Sequence, residues 1–159
     1  MFDRILVALD GSPLHVPVLE KAAQLAGICQ AELHVISVND PVFRHPLVMM
    51  APAGEYFDGI AQETHEVLER AETLLSSWGL SATMHPAHGQ AAEEIACLAN
   101  SLKADLIVIG HRYLSWLDHL FEHSVGWDLL GKAPCSVMVV LRRGSPPPGP
   151  SALASLPTT

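Results

Sequence analysis

The stretch from Asp105 to Val140, DLIVIGHRYLSWLDHLFEHSVGWDLLGKAPCSVMVV, constrains the fold more than any other part of the chain. Leu106 to Ile109 is apolar at every position and stops at Gly110, and a second such run, Val137 to Leu141, follows Ala133-Pro134. A strand that is apolar on both faces has helices above and below it, which is the situation of a parallel sheet. Between the two runs lies a long loop, and Ser124-Val125 then opens a short helical pattern. A glycine at the carboxyl end of one strand, with a helix N-terminus downstream, is the geometry in which open α/β sheets hold ligands.

The rest of the chain repeats the alternation. Arg4 to Leu9 is strand-like and ends in Asp10-Gly11-Ser12-Pro13, where Ser12 is a helix N-cap candidate and Pro13 suits the first helical position. Val18, Leu19, Ala22, Ala23, Leu25 and Ala26 then give an apolar helix face reaching about Ile28. Pro17 requires that helix to start near His15 or to kink. Ala31 to Val38 reads as a second strand, and 40–55 as a Pro/Met/Ala-rich loop long enough to be a lid or partner surface. Ile60 through Trp78 recurs at helical spacing and ends at Gly79. Leu80 to Ala87 is a weaker strand, and Ala91 through Leu102 a third helix. The order β-α-β-α-β-α-β-α-β predicts an open, doubly wound, five-stranded parallel sheet with helices on both faces.

Composition sets the outer bounds. With 159 residues and 49% apolar content, residues 1–143 suffice for one α/β domain with a substantial core. Residues 144–159, GSPPPGPSALASLPTT, carry no charge and cannot repay their ordering entropy, so a disordered tail is expected. A formal net charge of −8 argues against a nucleic-acid partner. No apolar run approaches the roughly 18 residues of a membrane span, and the chain opens directly on a strand-like run with no signal peptide in view. Cys29, Cys97 and Cys135 are widely spaced and form no C-x-x-C pair. They read as reduced, buried small hydrophobes of a cytoplasmic protein.

Taken together, RILVALDGS, ELHVISV, HGQAAEEI, DLIVIGHR and HSVGWDLLGKAPCSVMVV resemble the universal stress protein family over roughly residues 2–141. That family has an ATP-binding branch and a branch that does not bind it. In the binding branch the resemblance implies an acid near the ribose, here Asp10, and a valine beside the adenine, here Val35. It also implies a phosphate loop of Gly, two residues, Gly, nine residues, Gly and then Ser or Thr. This chain begins the loop correctly at Gly110 and ends it correctly at Ser124, but Tyr113 and His123 occupy the other two glycine positions.

Those two departures bear on affinity. Glycine reaches positive φ freely and leaves no Cβ between backbone N–H groups and a phosphate. A left-handed non-glycine residue costs about 1–2 kcal/mol, so two would weaken binding about 30- to 1,000-fold. Asp118 and Glu122 add negative charge to the loop, whereas Arg112 suits phosphate pairing and Ser124-Val125 stands at a helix start that favours anions. The candidate nucleotide pocket is therefore Asp10, Val35, Gly110, Arg112, Ser124 and Val125, with ATP as the ligand it would take.

Other features read more plainly. His85 and His88 form a solvated pair rather than a metal site, which needs three or four convergent ligands. His111, His119 and His123 are loop histidines, and Trp116 and Phe121 pack that loop down. No nucleophile–base pair is identifiable, so no enzyme is expected. The expectation is a noncatalytic stress-response protein with a degenerate pocket, dimerising through Ser136 to Leu141 and meeting protein partners at loop 40–55. The alternatives are an ATP/AMP-binding regulatory switch of the same fold and a pure protein-interaction scaffold.

Overall fold

The computed structural model describes residues 1–11, 15–40, 53–110 and 125–141, with the backbone alone at 53–61 and 125–127. The elements are β1 (Arg4–Ala8), α1 (His15–Cys29), β2 (Glu32–Asn39), α2 (Ala53–Ser77), β3 (Thr83–His88), α3 (Ala91–Leu102), β4 (Leu106–Gly110), α4 (Val125–Lys132) and β5 (Ser136–Val140). The five strands form one sheet in the order β3-β2-β1-β4-β5, and every neighbouring pair is parallel. This is the doubly wound α/β fold that the apolar runs imply.

Side-chain alternation builds two separate cores. Ile5 and Val7 of β1 and Leu9 just beyond it, with Leu33, Val35, Leu106 and Val108, pack under Val18, Leu19 and Ala22 of α1 and Val67, Leu68, Ala71 and Leu75 of α2. Leu6, Ala8, Ile36, Ile107 and Ile109 face the opposite way, against Ala92, Ile95, Ala96 and Ala99 of α3 and Leu129 of α4. Every residue of β4 is buried, as a central strand covered on both faces must be.

Several boundaries differ from the sequence expectation, each for a local reason. The described helix α1 begins at His15, which places Pro17 in its first turn, where the N–H has no helical partner to lose. Ser12 and Pro13 lie outside the described residues. The second helix begins at Ala53, well before Ile60, so the expected 40–55 loop shortens from its far end. Residues 41–52 lie outside the described residues. Gly79 takes φ +73° just past α2, as expected of a glycine stop. Helices α1 and α3 end instead on left-handed Gln30 (φ 56°) and Lys103 (φ 54°), where no glycine signal exists to read. The cysteines are free, but Cys97 is exposed and Cys29 and Cys135 only half-buried, which corrects the expectation that all three are core residues. Residues 142–159, and with them the tail, lie outside the described residues. Among the described residues no helix is long and apolar enough to cross a membrane.

Candidate functional site

The strand order turns at β1, which has β2 on one side and β4 on the other. At such a switch point the connections leave in opposite directions and open a crevice at the carboxyl ends of the strands. Val7 is level with Val108, so Asp10 and Gly110 stand at neighbouring strand ends within one residue of the same height. The N–H of Leu9 donates to the carbonyl of Ile36 at 2.9 Å, which carries the pairing of β1 with β2 up to the residue before Asp10. Asp10 is half-buried at this rim. Beside it α2 approaches closely, since a Cβ on Gly11 would lie 3.1 Å from Oε1 of Glu63.

The structure thus brings Asp10 and Gly110 together, and it puts Val125 at the start of α4. Val35 stands deeper. It pairs in register with Val7, three residues before Asp10, and its side chain has no exposed surface in the core beneath α1 and α2. Arg112, Tyr113, His123 and Ser124 lie outside the described residues, as do His111, Trp116, His119 and Phe121. An open groove of about 650 Å³ runs between α1 and α2, lined by His15, Glu66, Glu69 and Arg70 among others. It lies on the outer helices, and Asp10, Val35 and Gly110 take no part in it.

A second wall stands at the same end of the sheet, and the sequence reading missed it. Asp40, 7% exposed, accepts a 2.8 Å hydrogen bond from the N–H of Ala91 and so caps α3 from the end of β2. A carboxylate at a helix start is also favoured by the helix dipole. The N–H of Gly89 donates to the carbonyl of Asn39 at 3.0 Å, tying the ends of β2 and β3 to the entry of α3. Among the described residues, Oδ1 of Asn39 is buried there without a hydrogen-bond partner. An aspartate that ends a strand is a visible sign of a cap, but its helix begins fifty-one residues later, too far for local pattern reading.

His85 corrects another expectation. Rather than pairing with His88 in solvent, it packs against His34 of the second strand, with Nδ1 of His34 3.1 Å from Nε2 of His85. Burial holds both imidazoles below the ordinary histidine value, and His34 depresses His85 further by its charge. Among the described residues no group of three or more metal-ligating side chains comes together.

In an open, doubly wound α/β sheet of this order the crevice lies at the carboxyl ends of the strands, the end at which Asp10 and Gly110 stand. The sequence model of the universal stress protein family matches residues 1–140. The Bacillus subtilis universal stress protein YxiE is 31% identical, over 88% of this chain and 99% of that one. The chain belongs to the universal stress protein family. Solved structures similar to it include a universal stress protein in complex with cAMP (21% identity, TM-score 0.68, 87% of this chain and 97% of that one). Another is the Archaeoglobus fulgidus universal stress protein in complex with dAMP (23% identity, TM-score 0.63, 86% and 96%). At such identities these likenesses establish the fold.

Proposed function

We propose that this universal stress protein is a noncatalytic, cytoplasmic regulatory protein with a weakened adenine-nucleotide pocket, and that it works through dimerisation and protein partners. The observation that carries the pocket is the juxtaposition of Asp10 and Gly110 across the switch point, together with Tyr113 and His123 at two glycine positions of the phosphate loop. Asp10 is the hydroxyl acceptor for a ribose, and Gly110, Arg112, Ser124 and Val125 are the phosphate side of the site. Val35, buried in register with Val7, supports the site from beneath. A Cβ and a bulky ring at each substituted position narrow the approach of backbone N–H groups to phosphate.

The dimer reading is supported by the sheet order, which leaves β5 with a single neighbour. Its residues Val137, Met138 and Val139 are only half-buried, and Leu141 is 43% exposed. An edge with unpaired backbone groups and apolar side chains is suited to a second copy. A second reading, an ATP- or AMP-responsive switch, is favoured by the relatives whose solved structures hold cAMP and dAMP. Mass spectrometry of small molecules carried through purification separates the two. A degenerate pocket predicts no stoichiometric nucleotide, and ATP or AMP retained at near one equivalent would select the switch.

A further inference from the structure

Strand β3 is an edge strand attached to one neighbour, and none of its six residues is buried. Pro86, within it, has no N–H to contribute to pairing. A side-chain hydrogen bond between His85 and His34 crosses from it to β2. Because His34 is level with Thr83, and Ile36 with His85, the two imidazoles lie diagonally on one face of the sheet. Their ring centroids are 5.3 Å apart, and the two nitrogens approach to 3.1 Å. Such a bond requires one bare nitrogen and one N–H. Among the described residues the second nitrogen of His34, Nε2, is buried without a hydrogen-bond partner, and Oε2 of Glu32 lies 4.0 Å from it.

Glu32 and Arg4 act on His34 from the first two strands, and they are themselves paired at 2.9 Å. The guanidinium of Arg4 also donates to the carbonyl of Leu102. Helix α3, packed over this face, turns Ala92, Ile95, Ala96 and Ala99 to the sheet. Its carboxylates are placed elsewhere: Glu93 pairs with Lys132, and Glu94 lies against Gly89. Lys103 caps the far end of the helix.

We propose that His34 and His85 form a proton-operated latch that fastens edge strand β3 to β2 and releases it in acid. The neutral pair shares one N–H···N bond. Burial of both rings resists even the first proton, but that proton does not break the bond, because a protonated His34 still donates from Nδ1 to His85. A second proton puts N–H groups on both facing nitrogens, and the bond becomes a repulsion between two cations 3.1 Å apart. The sign follows from linkage. The unfolded chain takes up protons near the ordinary value of 6.5, whereas the folded pair resists them. The latch therefore contributes fully above that value, weakens as pH falls below it, and is lost once pH passes below the depressed folded values. Since β3 runs through His88 and Gly89 into α3, release loosens the entry to that helix, at the same end of the sheet as Asp10. The latch operates with or without a nucleotide.

Hydrogen exchange of the full-length protein at about pH 7.5 and about pH 5, corrected for intrinsic exchange rates, tests this. Peptides covering 83–88 should lose protection about tenfold or more in acid, while peptides covering β1 and β4 keep theirs. His85→Gln keeps a hydrogen bond but cannot take up a proton, so the acid-induced loss should disappear. Unchanged protection of 83–88 in the wild type, or a loss that persists in H85Q, would overturn the latch. Should H85Q fold poorly, proton NMR of the wild-type rings decides. Two coupled titrations below the ordinary histidine value support the latch, and two independent ones at that value refute it.

Discussion

Gly89→Ala is the single change whose cost can be worked most fully from the structure. Gly89 has φ +143°, a conformation that L-residues rarely adopt, and holding a side chain there costs about 1–3 kcal/mol. The added Cβ would also lie 2.8 Å from Oε1 and 3.2 Å from Cγ of Glu94. Turning that side chain aside adds about 0.5–1.5 kcal/mol of rotamer strain. Alanine restricts the unfolded chain and returns about 0.4–1 kcal/mol. The net loss is about 0.5–4 kcal/mol, which in a domain of this size lowers Tm by about 1–16 °C. Urea unfolding followed by circular dichroism measures it, and the double variant G89A/E94A separates its parts. If the backbone dominates, removing Glu94 recovers less than half of the loss. A G89A protein as stable as the wild type would refute the reasoning, and full recovery in the double variant would assign the cost to the side-chain clash alone.

Other expectations are as direct. If β5 is the dimer edge, the protein should sediment as a dimer at micromolar concentration. Leu141→Lys, at a 43% exposed position, should shift it toward monomer without loss of circular dichroism; a monomeric wild type would remove the assignment. Oδ2 of Asp105 accepts hydrogen bonds from the N–H groups of Arg4 and Asp3, which hold its carboxyl below the usual range. Its contribution is present above the ordinary carboxylate value and is lost as pH falls through the depressed one. Asp105→Asn should therefore be less stable than wild type at neutral pH, with the difference shrinking in strong acid; a difference that does not change with pH would contradict this. Removing residues 144–159 should leave Tm nearly unchanged, and a loss of several degrees would mean that the tail docks on the domain.

The layers of this fold were legible because burial on both faces leaves a plain mark in the sequence. Leu106–Ile109 and Ile5–Leu9 read as covered strands and are covered. Val67, Leu68, Ala71 and Leu75 read as one helix face and form one. Helix termini without glycine were not legible, because Gln30 and Lys103 take left-handed conformations that their residue types do not announce. The start of α2 was missed because Ala53-Gly54 carries no capping signal within a Pro/Met-rich stretch.

At the strand ends, Asp10 and Gly110 were each legible as residues that close an apolar run, but their being neighbours rests on the pairing of β1 with β4. The cap from Asp40 to Ala91 and the contact of His34 with His85 each join positions fifty-one residues apart, through a register that only the assembled sheet fixes. His34 was also hidden by its setting in ELHVISV, where a polar residue two places after Glu32 reads as part of an alternating strand pattern.

The central claim, a nucleotide site weakened at two glycine positions, is tested most directly by calorimetric titration of ATP into the wild type and into Tyr113→Gly/His123→Gly. The double change restores backbone freedom and clears two side chains from the phosphate path, leaving Asp10, Arg112 and Ser124 in place. The account predicts weak or undetectable binding by the wild type and a gain of about 30- to 1,000-fold in the variant, as the removal of two left-handed penalties implies. Submicromolar ATP binding by the unmodified protein would contradict it and make the chain a nucleotide switch.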